Sequence, residues 1–310
     1  MSWKFIVSAN HDGRRLDKVI RSLWPALPLS ALMKNIRKGR VRVDSKKASF
    51  DTRLSRGQEV YVPWDKPDSR EEGGVDKKLE TVWRNSDLWV VNKPSGLLSQ
   101  PSKKGEDSLL SRSWADKDVL SEDFRPALVN RLDRNTTGLV LIALGGNMLR
   151  KLQEEMKQNR IRKDYLAVVC GEIPKEGRID KPLFKDPSKN TVVVDSNGKP
   201  SISIFKRLCT DGQFSLVEIR LVTGRSHQAR VHLADMGFPI IGDQKYGNRN
   251  ENRHWWQYGI KRPLLHASCL SFPDLGKEFS RISEKQFKAP LPEDMIFFFS
   301  RRGWDSTFLV

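Results

Sequence analysis

The sequence predicts an α+β fold: a mixed, mainly antiparallel sheet preceded by a small N-terminal α+β domain. Three observations carry that reading. From about residue 79 onward, apolar runs of strand length recur with few helical periods between them. Before that point, two helical periods are followed by two short strands. Between them lies WDKPDSREEGGVDKK (64–78), polar, broken by Pro67 and Gly73-Gly74, and without an apolar period. Such a stretch reads as a linker. The expected division is a domain over 1–65, a linker over 66–78 and a larger domain over 79–310.

Each element follows from its own pattern. In GRRLDKVIRSLW, Leu16, Val19, Ile20 and Leu23 recur at helical spacing and share a face. A second helix is expected from about Ser30, with Leu32 and Ile36 inward and a stop at Gly39. Lys34, Arg37, Lys38 and Arg40 cluster toward its end, which suits contact with a polyanion. VRVDSKK and QEVYVP read as short strands. In the larger domain LWVVNKP (88–94) is a strand that stops at Pro94, and GLVLIAL (138–144) is a buried strand. Leu149, Leu152 and Met156 then mark a helix. Strands recur at 165–170, 191–194, 201–207 and 214–222. In the last of these, Val217, Ile219 and Leu221 alternate with Glu218 and Arg220. A helix from about Ser226 to Met236 is closed by Gly237 and Pro239.

Composition narrows the partner. The 310 residues are 38% hydrophobic, enough for a sizeable core, and carry a formal net charge of +17. An excess of that size points to nucleic acid. No basic amphipathic helix of the membrane-anchoring kind stands out. Residues 1–65 hold 14 Lys and Arg against 6 Asp and Glu, so +8 sits in this short segment. The N-terminus lacks an apolar signal core, and no run approaches the roughly 20 apolar residues of a membrane span. A cytoplasmic location is therefore expected. Cys170, Cys209 and Cys269 form no CxxC pair and are expected to be reduced. No HExxH or Cys/His cluster is present, so no zinc site is expected, and the sequence has no Walker loop or GxGxxG turn.

Three segments hold chemistry. In NRLDRNTTG (130–138) a carboxylate, Asp133, lies between Arg131 and Arg134 just before an apolar strand. A nearby guanidinium favours the ionised form of a carboxylate, which can then act as nucleophile or base. From spacing alone the same pattern fits a surface ion-pair ladder. In TGRSHQARVHL (223–233), Arg225, His227 and Arg230 lie where a strand turns into a helix. Anions gather at such sites, and residues three apart share a face. In RKDY (162–165), Tyr165 enters a buried strand.

Together these segments resemble the RluA-type family of pseudouridine synthases. NRLDRNTTGLVLIA is similar to the family's active-site signature, and LWVVNKPSGLL to its opening strand. RKDYLAVVCG resembles its K-x-Y-L-A segment. VTGRSHQARVHLADMGFPIIGDQKYG resembles its G-R-T/S-H-Q-x-R-V-H-L segment followed by G-D-x-x-Y-G. PLLHASCLSF and APLPED also fit, and order and spacing hold from about residue 79 to 295. Residues 14–62 resemble the S-four-like RNA-binding domain at the front of several members.

The resemblance implies a pseudouridine synthase fold and the isomerisation of uridine to pseudouridine in structured RNA, without cofactor. It implies Asp133 as the catalytic carboxylate and Arg131 as the side chain filling the gap left by the everted base. It implies Tyr165 as the ring that stacks on the uracil and takes the C5 proton, and Arg230 as the partner of Asp133, with Arg225 as the second candidate. Arg134, Arg225 and His227 are expected to contact RNA alongside Arg131.

The sequence departs from the pattern at Asn130, where His is usual, at Thr137, where Ser is commoner, and at Ala229, which replaces a larger aliphatic residue. None removes a charge or hydroxyl that the chemistry needs. The front domain and the long chain most resemble members acting on large-subunit ribosomal RNA, which is therefore the expected substrate. The alternatives are transfer RNA and a non-catalytic RNA-binding ribosome-assembly role. A monomer is expected. In Asn248–Lys261, Trp255 and Trp256 are expected to pack a surface loop onto the body.

Overall fold

The computed structural model describes residues 2–24, 27–66, 77–103, 105–119, 124–186 and 191–305. Residues 67–76 of the expected linker lie outside these. The chain opens with β1 (Trp3–Ile6), α1 (Leu16–Leu23), α2 (Leu29–Arg37), β2 (Arg42–Val43), β3 (Lys46–Lys47) and β4 (Glu59–Val62). The four strands pair antiparallel in the order β1-β4-β2-β3. The apolar stripes of both helices fold onto this sheet, burying Leu16, Val19, Ile20, Leu32 and Ile36 against Val43, Val60 and Val62. Lys34, Arg37, Lys38 and Arg40 remain exposed.

The rest of the chain forms β5 (Glu80–Arg84), β6 (Leu88–Lys93), α3 (Leu109–Ala115), β7 (Ala127–Leu128), β8 (Thr137–Ala143), α4 (Gly146–Lys157), β9 (Arg162–Cys170), β10 (Glu176–Asp180), β11 (Leu183–Asp186), β12 (Thr191–Val194), β13 (Ile202–Thr210), β14 (Phe214–Leu221), α5 (Gln228–Asp235), α6 (Arg249–Trp256), β15 (Leu265–Ser271), β16 (Gln286–Lys288) and α7 (Glu293–Arg302). One sheet runs β10-β13-β14-β9-β15-β8-β6-β5, with β16 added to β15 and β7 to β8. The β15–β8 pair is parallel and the other pairs of this sheet are antiparallel. The fold is thus α+β with a mixed, mainly antiparallel sheet.

Both faces of this sheet are covered, which is why its central strands read as nearly continuous apolar runs. On one face Tyr165, Ala167 and Val169 pack with Val217, Ile219 and Leu221 and with Ala229 and Leu233 of α5. On the other, Leu166 and Val168 meet Leu216, Trp255, Phe298 and Phe299 under α6 and α7. Further along that second face α4 buries Met148 and Leu152 against Leu88 and Val90. Among the described residues no helix is long and apolar enough to cross a membrane.

The segment expected to be a surface loop is largely the helix α6. Asn248 caps its first N–H groups, and Asn252 clamps it to the chain before it by accepting from the Gly242 N–H and donating to the Asp243 carbonyl. Successive residues on a helix point about 100° apart. Trp255 accordingly packs on Phe298 and Phe214, while Trp256 is 49% exposed.

The front unit touches the body at one helix start. The Asn10 side chain accepts the Gly146 N–H at 2.9 Å, and Arg150 donates to the Asn10 carbonyl at 3.1 Å. A second close approach lies in the main sheet. Gly138 has φ +110° and pairs with Ala267, and a Cβ there would sit 2.3 Å from the Ala267 carbonyl oxygen. Neither the backbone conformation nor the space admits a side chain. Gly138→Ala is expected to lower unfolding stability by about 2–3 kcal/mol. Chemical denaturation checks this, and an unchanged midpoint would contradict it.

Candidate active site

Asp133 sits on the segment that links β7 to β8. Its turn is closed by the Thr136 N–H donating to the Asp133 carbonyl at 3.1 Å. Three buried side chains hold the backbone of this segment. Ser99 takes both polar groups of Leu132, accepting its N–H at 3.0 Å and donating to its carbonyl at 2.8 Å. The Lys93 ammonium donates to the carbonyls of Pro94, Leu97 and Arg134 at 2.8–2.9 Å. Arg262 holds Asp294 of α7 in a two-pronged pair at 2.5 and 2.6 Å and donates to the carbonyls of Pro263 and Leu265. Its remaining reach, 3.5 Å, is to the Asn135 carbonyl. Burial, with the charge of Arg262 beside it, pushes the Lys93 pKa down to about 7, and the charge of Asp133 acts against that shift.

The Asp133 carboxylate meets Arg230, which comes from the first turn of α5. Arg230 Nη1 donates to Asp133 Oδ2 at 2.9 Å. The other edge of the same guanidinium is forked onto Asp243, Nε at 2.7 Å and Nη2 at 2.8 Å. Asp243 is fully buried and also accepts the N–H groups of Lys245 and Tyr246. Burial by itself would raise the Asp243 pKa. The Arg230 fork and charge, with those two N–H donors, outweigh it and hold the carboxyl below its ordinary value. Burial would likewise lower Arg230, but its two carboxylate partners raise it instead, so the guanidinium stays charged. The Tyr246 ring lies 5.1 Å from the guanidinium, a cation–π contact.

His227 is the residue before α5 and adopts φ +55°, a left-handed conformation that costs a non-glycine residue about 1 kcal/mol or more. That turn brings its Nε2 to 3.8 Å from Asp133 Oδ2 and its Nδ1 to 2.8 Å from the Tyr246 hydroxyl. Burial lowers its pKa, with Arg230 and Lys245 adding to the shift against the attraction of Asp133 and Asp243. The ring is therefore neutral at neutral pH. The Tyr246 hydroxyl also accepts the Val192 N–H; in the tautomer in which it donates to Nδ1, the ring proton sits on Nε2, facing Asp133.

Tyr165 enters from β9 on the same face of the sheet. It is buried, and it lines both a small recess with Asp133, His227 and Arg230 and the open cavity of about 890 Å³ beyond it. Burial, then the charge on Asp133, raises its pKa well above the usual phenol value. The cavity wall holds five cationic residues, Arg131, Lys157, Lys163, Lys185 and Arg225, against one acid, Asp133. Such a wall attracts an anionic ligand.

The structure thus brings Asp133, Tyr165, Arg230 and His227 together, with Arg131 and Arg225 exposed on the cavity wall. Arg225 also donates to the Pro200 carbonyl. Arg134 is placed elsewhere: its guanidinium is 58% exposed, lies 3.7 Å from Glu106 and is not part of the wall. Lys34, Arg37, Lys38 and Arg40 belong to the front sheet unit. Sequence reasoning gave no role to Asp243, Tyr246, Lys93, Ser99 or Arg262. Asp243 and Tyr246 lay within the G-D-x-x-Y-G segment and Lys93 within NKP, but the signal needed was burial of a charge, which no local pattern reveals.

Comparison with known proteins bears on the family. Residues 87–235 match the model of the RNA pseudouridylate synthase family. A protein of Chloroflexus aurantiacus described as an uncharacterized RNA pseudouridine synthase is 32% identical over 94% of this chain and 90% of its own. The ribosomal large subunit pseudouridine synthase C of Escherichia coli is 33% identical over 93% of each. That of Vibrio vulnificus is 31% identical over 94% of each. Among solved structures, human RNA pseudouridylate synthase domain containing 4 shares the fold, with a TM-score of 0.59 at 24% identity over 72% of this chain and 92% of that one. The chain belongs to the RNA pseudouridine synthase family.

Proposed function

We propose that this chain isomerises uridines of large-subunit ribosomal RNA to pseudouridine, as a cytoplasmic monomer without cofactor, with Asp133 as the catalytic carboxylate. The observation that carries the site is the Arg230–Asp133 contact at the floor of a cationic cavity. The substrate reading is supported by the relatives described as ribosomal large-subunit enzymes.

The chemistry balances within one nucleotide. The N1–C1′ bond breaks, the base turns, C5 bonds to C1′, and the proton lost from C5 is matched by one gained at N1. No electron or group carrier is required. Asp133 serves as nucleophile at C1′ or as base toward the ribose. Its side chain is 30% exposed. Among the described residues only Oδ2 accepts a hydrogen bond, which leaves Oδ1 for the sugar. The base must leave its stack to reach this point, at a cost of a few kcal/mol. Arg131 on the rim fills the gap, and stacking on Tyr165 returns about 1–3 kcal/mol. The phenol of Tyr165 is protonated at rest, so it removes the C5 proton only by passing its own proton onward. The front unit, with its exposed Lys34, Arg37, Lys38 and Arg40, acts as an RNA-binding domain that adds largely sequence-independent affinity.

Three outcomes test this reading. In a strain lacking the chain, mapping of pseudouridines across total RNA is expected to show losses in large-subunit ribosomal RNA. Asp133→Asn should fail to restore them while binding RNA nearly as tightly, and restoration by that variant removes Asp133 from the chemistry. Losses confined to transfer RNA reassign the substrate. Tyr165→Phe keeps the ring and should slow single-turnover conversion by roughly 10²–10⁴-fold, whereas an unchanged rate reduces Tyr165 to a stacking surface. Exchanging Lys34, Arg37, Lys38 and Arg40 for Gln should flatten the salt dependence of binding by about 0.7–0.9 in log–log slope per lost phosphate contact. An identical slope argues against an RNA role for the front unit.

A further inference from the structure

The buried cation in the cavity wall has no task in the arrangement described so far. Lys163 is 7% exposed and precedes Tyr165 by two residues on β9. The strand period of two puts both side chains on the same face. Among the described residues the Lys163 ammonium has neither a hydrogen-bond partner nor an ion pair, and burial alone lowers its pKa. The buried cations around it are all satisfied: Lys93 by three carbonyls, Arg230 by two carboxylates, and Arg262 by Asp294 and backbone carbonyls. Its stem is packed away while its head lines the open cavity, so the ammonium is held at the cavity surface with no counter-charge from the protein. Asp133, the one acid of this wall, is already held by Arg230. Its charge is therefore available to an anionic group of a ligand in the cavity.

We propose that Lys163 Nζ binds a backbone phosphate next to the target uridine, fixing where the everted nucleotide comes to rest above Tyr165. This builds on the RNA-modifying reading. The anionic groups of RNA are its phosphates, and four other cations line the same cavity. Two residues along a strand span roughly 7 Å, comparable to the reach from a base to a phosphate of its own nucleotide. Lys163 is thus a binding residue that converts non-specific attraction into a single register of the nucleotide. The competing partner for an ammonium here is a uracil carbonyl, which is neutral and releases no counterions on binding.

The test compares full-length wild type, Lys163→Met and Lys163→Arg on a labelled transcript of the ribosomal hairpin that carries the mapped uridine. Lys163→Met should weaken binding roughly 10- to 100-fold at low salt. It should also lower the magnitude of the log K against log[salt] slope by about 0.7–0.9, while Lys163→Arg keeps the slope. Because no protein partner of the ammonium is lost and Met keeps the apolar packing of the buried stem, the melting temperature of Lys163→Met should equal or exceed that of wild type. A neutral methylphosphonate at one linkage flanking the uridine should weaken wild type and leave Lys163→Met unaffected. An active wild type with an unchanged slope in Lys163→Met, a wild type indifferent to methylphosphonate at both flanking linkages, or a large fall in melting temperature each overturns the phosphate assignment alone. A wild type inactive on every RNA overturns the enzymatic reading, and this one with it.

Discussion

The site depends on one buried ion pair. Asp243 has no exposure, and a carboxylate there persists only if a cation meets it with good geometry. Arg230 does so through Nε and Nη2, and a planar guanidinium held on one edge has a fixed direction left for its remaining N–H groups. That direction is Asp133. The Asp133 turn is thereby tied at one point to the start of α5 and the Asp243 turn, which lie far from it in sequence. A lysine at position 230 would supply charge without direction. Breaking a buried pair of this kind typically costs about 3–5 kcal/mol, so the fork supports fold and site together.

The backbone around Asp133 is determined with the same redundancy. Ser99 closes both polar groups of Leu132, Lys93 takes the Arg134 carbonyl, and Arg262 approaches the Asn135 carbonyl. Beyond it the chain enters β8 beside β15, where Gly138 lets two backbones approach and Thr137 meets His266 Nδ1 at 2.9 Å. Asn130 contributes from the other side. Its amide accepts the Leu141 N–H and donates to the Leu139 carbonyl, so it braces the strand that follows the Asp133 turn. An amide with one donor and one acceptor in use does this without changing charge, which accounts for Asn at this position.

Much of this fold was legible in the sequence because a sheet covered on both faces advertises itself as repeated apolar runs. β8, β9, β12 and β14 lie within a few residues of where their patterns put them. α7 was not recognised, since EDMIFFFSRR presents three consecutive Phe instead of an apolar period, although acids open it and Gly303 closes it in a left-handed cap. The site was legible only as segments. Arg131 and Arg134 flank Asp133 alike in sequence, yet the turn closed at Thr136 leaves the first on the cavity wall and directs the second to Glu106. Trp255 and Trp256 likewise differ only by one helical step, which is enough to bury one and expose the other.

What separates this face of the molecule from the rest is the concentration of local costs. A buried lysine has its pKa pushed down to about 7, a histidine adopts a left-handed backbone, and a second lysine is buried without a counter-charge. Any one could be an accident of packing. All three lie within the shell around Asp133, Tyr165 and Arg230, while the opposite face of the sheet is filled with Leu, Phe and Trp. Sequences keep such departures where function requires a group to be held ready and not relaxed. A cationic wall around one acid would attract any polyanion. The buried, directional pairs behind it give that wall one fixed point, the carboxylate of Asp133.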